Sequence, residues 1–381
     1  MRIGIDVFPL CSRFPATGIP RAVREILREL QRLDQENDYY LYSKQDFDLP
    51  LENPRWHKRL HLGIPYLLGN LYLRIKDGIE RRGDHGLDVF WTTRTHSFPV
   101  GLPSSVGRVL TVYDVVWLLH PETMEDVNRR ALRLFAERGI RQAHKIIAIS
   151  ESTRQGLIET TGVAGKRIEV VHLAVNAGFT PRDRDQSARL IAEKYGASPA
   201  YICTVGTVEP RKNIVTLIEA VRILRDRGQL RHQLLIAGQS GWKNSDIYAR
   251  VESCGLTEHE VRFLGRIPDD DLALLYSGAA LFVLPSLYEG FGLPLIEAMA
   301  CGVPVVASNT SSIPEVVQDA GILVAPQRPE EFADAIVRVT GDAALGRSLA
   351  EKGLKRAREF TWEAAALKVR RIFEDAKAAV T

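Results

Sequence analysis

Cysteine is scarce in this chain. Four residues among 381, at positions 11, 203, 254 and 301, lie far apart with no C-x-x-C pair. That spacing counts against a disulfide framework or a thiolate zinc site. The four thiols read instead as small buried apolar groups in a reducing compartment. Charge of one sign is also scarce. Fifty basic against 47 acidic residues leave a net charge of +3, too mild to argue for nucleic acid as a partner. No apolar run approaches the roughly 18 residues of a membrane span. The opening M-R-I-G-I-D goes straight into a strand-like pattern, without a basic segment followed by an apolar one, so no secretory leader is expected and the expected location is cytoplasmic. A G-x-G-x-x-G turn after the first strand is missing, which weakens a dinucleotide-binding reading. There is no low-complexity stretch and no short repeat.

What is present is the balance of an ordinary globular protein, 45% hydrophobic and 25% charged. At roughly 150 residues per domain, the length predicts two or three domains. Short apolar runs alternate with helical periodicity throughout. Strands are expected at 2–8, 39–43, 87–92, 108–115, 145–150 and 168–175. Val23, Ile26, Leu27 and Leu30 mark one face of an amphipathic helix after the turn at 14–18. The alternation pauses at the polar segment 176–186 and resumes with strands expected at 201–207, 232–238, 261–265, 280–286, 304–308 and 321–325. The helix expected over 213–227 carries Ile214, Leu217, Ile218, Val221 and Leu224 on one face. The expectation is therefore an α/β chain of two doubly wound, Rossmann-like domains. The first covers 1–178 together with a returning C-terminal helix at 361–381, and the second covers 179–360. Ligands of such sheets bind beyond the carboxyl ends of the strands, and two such sheets facing each other would leave a cleft between domains.

Two segments carry most of the chemistry. In 284–304 a strand runs into a loop with Gly290 and Gly292, and Pro294 stands where a helix should begin. Such a loop turns backbone N–H groups and a positive helix end toward an anion such as a diphosphate. Glu289 lies in the loop and Glu297 eight positions on, in the expected first turn. Their carboxylates suit the vicinal hydroxyls of a ribose or hexose; a solvated glutamate plus a dipole-compensating one is the plainer alternative. In 205–213, Arg211 and Lys212 stand at a helix start, where cations oppose the helix dipole. A multiply charged anion would offset them, Arg as a planar fork and Lys as a point charge. A plain surface pair is the alternative.

Together these segments resemble the C-terminal domain of the retaining GT-B glycosyltransferases of family four, also called group 1. The likeness rests on G-T-x-E-P-R-K-N at 206–213, L-Y-S-G-A at 275–279, and P-S-L-Y-E-G-F-G-L-P-L-I-E-A-M-A-C-G-V-P-V at 285–305 with its E-x7-E pair. It continues through the serine-rich 308–315 and 321–324. The resemblance implies a metal-independent enzyme without a cofactor. Arg211 and Lys212 would hold the donor diphosphate, Glu297 the ribose, and Glu289 the transferred sugar near its 3-hydroxyl. Gly290, Phe291, Gly292 and Leu293 would complete the donor loop, and Gly18 would lie against the donor phosphates. The pattern looks most like bacterial mannosyltransferases of surface-polysaccharide assembly, which implies GDP-mannose as donor and a glycan or lipid-linked glycan as acceptor. A UDP-sugar is the near rival. A GT-B sugar-nucleotide epimerase and a two-lobed sugar-binding receptor are the other readings.

Elsewhere the signals are weaker. Many relatives carry His-Asp where this chain has Tyr113-Asp114. Asp114 could orient the acceptor hydroxyl or take its proton, or could simply cap a turn. His120 is a second acceptor-side candidate, or an ordinary half-buried histidine. The run Asp269–Asp271 reads as helix capping and dipole compensation rather than a metal site. His57 and His61 lack the glutamate between them that a zinc-protease pattern needs. The basic and apolar segment 55–82 reads either as a peripheral contact with anionic membrane or as a core helix with a basic face.

Overall fold

The computed structural model describes residues 1–11, 18–43, 45–60, 86–99 and 101–381. The chain divides into two compact units. One comprises Met1–Leu119, Asp126–Leu173 and Thr361–Thr381, and the other His120–Glu125 and Ala174–Phe360.

The first unit holds a seven-stranded parallel sheet. Its strands are β1 (Arg2–Asp6), β2 (Asp38–Ser43), β3 (Trp56–Leu60), β4 (Val89–Thr92), β5 (Gly107–Val112), β6 (Lys145–Ala148) and β7 (Ile168–Val170), in the order β3-β2-β1-β4-β5-β6-β7. Every residue of β4, V-F-W-T, is buried, as befits a strand covered on both faces. The helix Gly18–Leu33 buries Val23, Ile26, Leu27 and Leu30, the expected face. The C-terminal helix Trp362–Ala378 belongs to this unit. Thr361 caps it by accepting the Ala364 N–H at 3.2 Å, and Phe373 packs 5.6 Å from Trp91 of β4.

The second unit repeats the plan. Its strands are β8 (Tyr201–Val205), β9 (Gln233–Ala237), β10 (Val261–Gly265), β11 (Phe282–Leu284), β12 (Val305–Ser308) and β13 (Gly321–Val324), in the order β10-β9-β8-β11-β12-β13. The helix Ile214–Asp226 buries Ile214, Leu217, Ile218, Val221 and Leu224, each worth about 1.5–3 kcal/mol on transfer from water. It stops where Gly228 takes φ +65°. There the Gln229 N–H reaches the Leu224 carbonyl at 2.8 Å and the Gly228 N–H reaches Arg225 at 2.9 Å, a Schellman closure. In this sheet β8 and β11 are neighbours, and their onward connections leave to opposite sides, β8 to β9 and β11 to β12. The loops that follow β8 and β11 therefore flank the crevice that such a reversal of strand order opens.

Three sequence readings need correction. Residues 56–60 of the basic segment form the edge strand β3, not a helix; residues 61–82 and His61 lie outside the described residues, as does the turn at 14–17. The three aspartates do fill the first turn of the helix Asp269–Gly278, where they suit its dipole, but the N-cap is Pro268, with no side-chain cap. Asp271 is buried instead, paired with Lys194 at 2.7 Å and with the Tyr195 hydroxyl, so it pins this helix to Arg184–Tyr195. Glu297 falls in the second turn of its helix, Leu293–Ala300, because the helix starts at Leu293.

Candidate active site

The loop after β8 carries the two cations. Pro210–Lys212 form a single 3-10 turn, and Asn213 follows with φ 52° before the helix begins. Asn213 is a stitch. Its amide donates to the Pro285 carbonyl at 2.9 Å and the Pro326 carbonyl at 2.6 Å, tying the loops after β11 and β13 to this one. The Leu287 N–H reaches the Arg211 carbonyl at 2.9 Å and closes the β8 and β11 loops on each other.

Glu289 lies at the centre. Its side chain is only 7% exposed. Lys212 Nζ donates to Oε1 at 2.6 Å, Ser286 Oγ donates to the same oxygen at 2.6 Å, and Arg211 donates to Oε2 at 3.1 Å. Burial pushes its pKa up, but Lys212 and then Arg211 outweigh that and hold the carboxyl down to about 2. Glu289 is thus an acceptor at neutral pH and cannot serve as a proton donor. Its main chain is fixed by the loop after β12, where the Glu289 N–H donates to Ser311 Oγ at 2.9 Å and Ser312 Oγ donates to the Glu289 carbonyl at 3.0 Å.

Arg211 has a second carboxylate partner, Glu209, which is 1% exposed and sits 2.5 Å away. Two buried carboxylates therefore already balance the two cations that oppose the helix dipole. Any diphosphate seated here shares Arg211 and Lys212 with Glu209 and Glu289. The sequence reading passed over Glu209, although it stands inside the 206–213 motif. It also passed over Gly238, which follows β9. A Cβ there would lie 1.8 Å from the Gly206 carbonyl oxygen, so only glycine lets the two loops close.

Gly290 and Phe291 lead to Gly292, the N-cap of the helix at φ 97°, and then to Leu293 and Pro294 in the first turn. That turn holds no acidic side chain, which leaves its positive end uncompensated by its own residues. Glu297 is 4% exposed, and its Oε2 accepts the Tyr276 hydroxyl at 3.1 Å. Burial, then the Glu297 charge, push the Tyr276 phenol well above its ordinary pKa, so it stays a donor.

The remaining candidates lie in two places. His120 groups with the second unit, its ring 5.6 Å from that of Tyr288 and its Nδ1 3.2 Å from Glu122. The segment is held by Trp242, whose indole N–H donates to the Thr123 carbonyl at 2.7 Å, and by Lys243, which donates to the Glu122 and Met124 carbonyls. Neither residue has a sequence signal. Gly18 and Asp114 belong to the first unit. Gly18 opens the helix Gly18–Leu33. Asp114 accepts the Val116 N–H at 3.1 Å and so caps the short helix Val116–Leu119. The Tyr113 hydroxyl is buried and donates to the Thr93 carbonyl at 2.9 Å. Burial raises its pKa, so it offers no substitute for an imidazole.

Residues 189–356 match the family Glycosyl transferases group 1, and residues 16–179 match Glycosyltransferase Family 4. O-antigen chain mannosyltransferase B of Escherichia coli is 34% identical over 263 residues, 69% of this chain and 69% of that one. The chain belongs to the group 1 glycosyltransferases. Another relative of this glycosyltransferase, the serotype-specific mannosyltransferase WbdA of Escherichia coli, is 32% identical over 279 residues, which are 72% of this chain but 34% of WbdA. This chain thus matches about a third of that longer protein. Among solved structures, HepE of Anabaena in complex with UDP-glucose superposes with a TM-score of 0.74 over 98% of this chain and 100% of that one. At 18% identity the likeness concerns the fold, which is that of a GT-B glycosyltransferase. Family membership sets aside the sugar-binding receptor. The chemistry of this glycosyltransferase is the transfer of a glycosyl group.

Proposed function

We propose that this glycosyltransferase moves mannose from GDP-mannose to a hydroxyl of a glycan or lipid-linked oligosaccharide in surface-polysaccharide synthesis, with retention of the anomeric configuration. The observation that carries the reading is the buried Glu289 with Lys212 at 2.6 Å and Arg211 at 3.1 Å, at the end of β8 and β11. Two relatives named as mannosyltransferases favour the sugar.

In this reading the bond between the anomeric carbon and the diphosphate oxygen breaks, and its electron pair goes to the diphosphate. Arg211, Lys212 and the uncapped helix start at Leu293 stabilise that charge. Such preorganised donors are worth about 3–4 kcal/mol each in a water-excluded site. Glu289 accepts the 3-hydroxyl of the sugar and keeps both cations aimed. Glu297 receives the ribose, with Tyr276 orienting its carboxylate. The acceptor oxygen forms its bond on the face the leaving group departs from, and its proton passes to the departing phosphate or to Asp114.

The charge stabilisation needs no metal in this scheme. EDTA should therefore leave turnover unchanged. No helix among the described residues is long and apolar enough to cross a membrane. The proposed location is cytoplasmic, with peripheral contact to anionic lipid through 55–82. Flotation with anionic liposomes tests that contact, and recovery of all protein in the lipid-free fraction would overturn it.

A UDP-sugar is the second reading. The grip described is on phosphates and hydroxyls and does not read the base, and HepE is a neighbour with UDP-glucose bound. Incubation with GDP-mannose and with UDP-glucose, each with and without a mannan-type oligosaccharide, decides. Transfer from GDP-mannose with an α-linked product supports the proposal. Turnover of UDP-glucose alone, or a changed donor sugar with no acceptor present, overturns it.

A further inference from the structure

The second unit has a cavity of about 390 Å³ at the amino ends of its strands, the opposite end of the sheet from Arg211 and Glu289. His232 stands just before β9, Ala280 just before β11 and Pro304 just before β12, and all three line it. Its charged lining is of one sign. Arg182, Arg184 and Arg347 contribute guanidinium groups, and the lining holds no carboxylate. Among the described residues none of the three arginines is engaged in an ion pair. Two acids close in sequence are spent on caps, Asp183 accepting from Gln186 N–H at 2.7 Å and Asp342 from Ala344 N–H at 2.9 Å, and Asp185, next to Arg184, is outside the lining.

A second observation is independent of that charge. Ser277 lines the cavity and is 7% exposed, and among the described residues its buried hydroxyl meets no nitrogen or oxygen partner, only the weakly bonding thiol of Cys301, which also lines the cavity. A thiol is a weak hydrogen-bond partner, so the hydroxyl keeps capacity for a polar occupant. Small residues, Gly346 and Ala350 on the helix Ala343–Ala357, keep the wall low where larger side chains would fill the space.

We infer that this cavity is a binding site for a small phosphate monoester of about hexose size, separate from the donor site. Three unpaired guanidiniums match a phosphate dianion by charge and by their paired N–H geometry. The body of the ligand occupies space equal to about a dozen water molecules, with Ser277 and His232 available to its hydroxyls. Burial, then Arg184, lower the pKa of His232, so it is a neutral hydrogen-bonding group at physiological pH. A nucleotide is disfavoured, because no Phe, Tyr or Trp lines the cavity to stack a base. The site shares two segments with Glu297. Ser277 follows Tyr276, which donates to Glu297, and the Cys301 N–H donates to the Glu297 carbonyl at 3.0 Å.

The test is calorimetric titration of the full chain with glucose 6-phosphate and with inorganic phosphate. GDP is held at saturation to occupy the donor site, and ionic strength is matched with chloride. The expected result is saturable binding of glucose 6-phosphate, weakened at least about tenfold in Arg182→Ala/Arg347→Ala and unchanged in Arg211→Ala. All three arginines are exposed, so the double variant folds, and it should retain sugar transfer. Tighter binding of inorganic phosphate than of glucose 6-phosphate would sink the monoester assignment. Absence of saturable binding, or loss in Arg211→Ala with retention in the double variant, would sink the site itself. None of these outcomes depends on which sugar the donor carries.

Discussion

Lys212 and Glu289 meet at 2.6 Å although 77 residues separate them, and both are buried. Such a pair survives desolvation only when its remaining hydrogen-bonding capacity is filled, and here Ser286 and Arg211 fill that of Glu289. The same four groups that make the pair stable also present two cations at the crevice of the sheet. In the proposed reading, structural charge balance and donor binding draw on one set of atoms.

Removing a cation should damage catalysis more than folding. Arg211→Ala leaves Glu289 with Lys212 and Ser286 but strips the buried Glu209 of its cation, so the urea midpoint should drop while Glu289 stays paired. The expected effect is a fall in kcat of about 10²–10³, the size seen when one preorganised donor to a developing anion is lost. Lys212→Ala should match it in kcat and also lower the urea midpoint, because Lys212 is the more buried partner. Turnover of donor at the wild-type rate by both variants would remove the diphosphate assignment.

The depressed pKa of Glu289 gives a pH signature. The folded value is about 2 and the reference 4.5. A lowered pKa contributes stability that is complete above the unfolded value and fades as pH falls through the folded one. That contribution is on the order of 3 kcal/mol above pH about 4.5 and is lost between about 4.5 and 2. In Glu289→Gln this part of the acid slope should vanish. Urea melts of both proteins at pH 7, 5, 4 and 3 measure it, and parallel acid slopes would contradict the buried pairing.

Much of this fold can be read from its residues because long helices repeat their apolar pattern. Ile214, Leu217, Ile218, Val221 and Leu224 announce their helix without help. Strand β3 is different. Its W-H-K-R-L has no alternation to detect, since it is an edge strand and edges carry charge to discourage further pairing. The strand expected at 108–115 ran too long because Tyr113 and Val115 are apolar and buried in a turn, where periodicity is silent. At the site, motif spacing points to Arg211, Lys212, Glu289 and Glu297. It does not reveal that Glu289 binds both cations, nor that Gly238 admits the Gly206 loop, because those contacts are long-range and depend on tertiary geometry.

Asp114 can be divided into its two roles by isosteric change. Asp114→Asn keeps an oxygen for the Val116 N–H and should leave the melting temperature near wild type. If the carboxylate takes the acceptor proton, kcat should fall by about 10²–10⁴ in this variant. Asp114→Ala should show the same kinetic loss plus about 1 kcal/mol of lost capping. Full activity in Asp114→Asn would reduce the residue to a cap.

Gly238 should tolerate no side chain. Gly238→Ala places a methyl 1.8 Å from the Gly206 carbonyl oxygen, and the clash is with backbone, which cannot step aside as a flexible side chain can. The loop bearing Arg211 and Lys212 must move. The expected result is a raised KM for donor with a lowered kcat, together with a lower melting temperature. A variant with wild-type kinetics would show that the two loops need not approach so closely.

Tyr276 isolates the contribution of one hydrogen bond to Glu297. Tyr276→Phe preserves the buried ring, which packs 5.4 Å from Phe282, and removes only the hydroxyl that donates at 3.1 Å. A buried carboxylate deprived of a donor is destabilised by about 1–3 kcal/mol, so the urea midpoint should drop. If Glu297 receives the ribose, the loosened carboxylate should also raise the KM for donor while kcat changes little, because the ribose is remote from the bond that breaks. A fall in stability with an unchanged KM would leave Tyr276 as a packing residue and would remove the support it gives to ribose binding at Glu297.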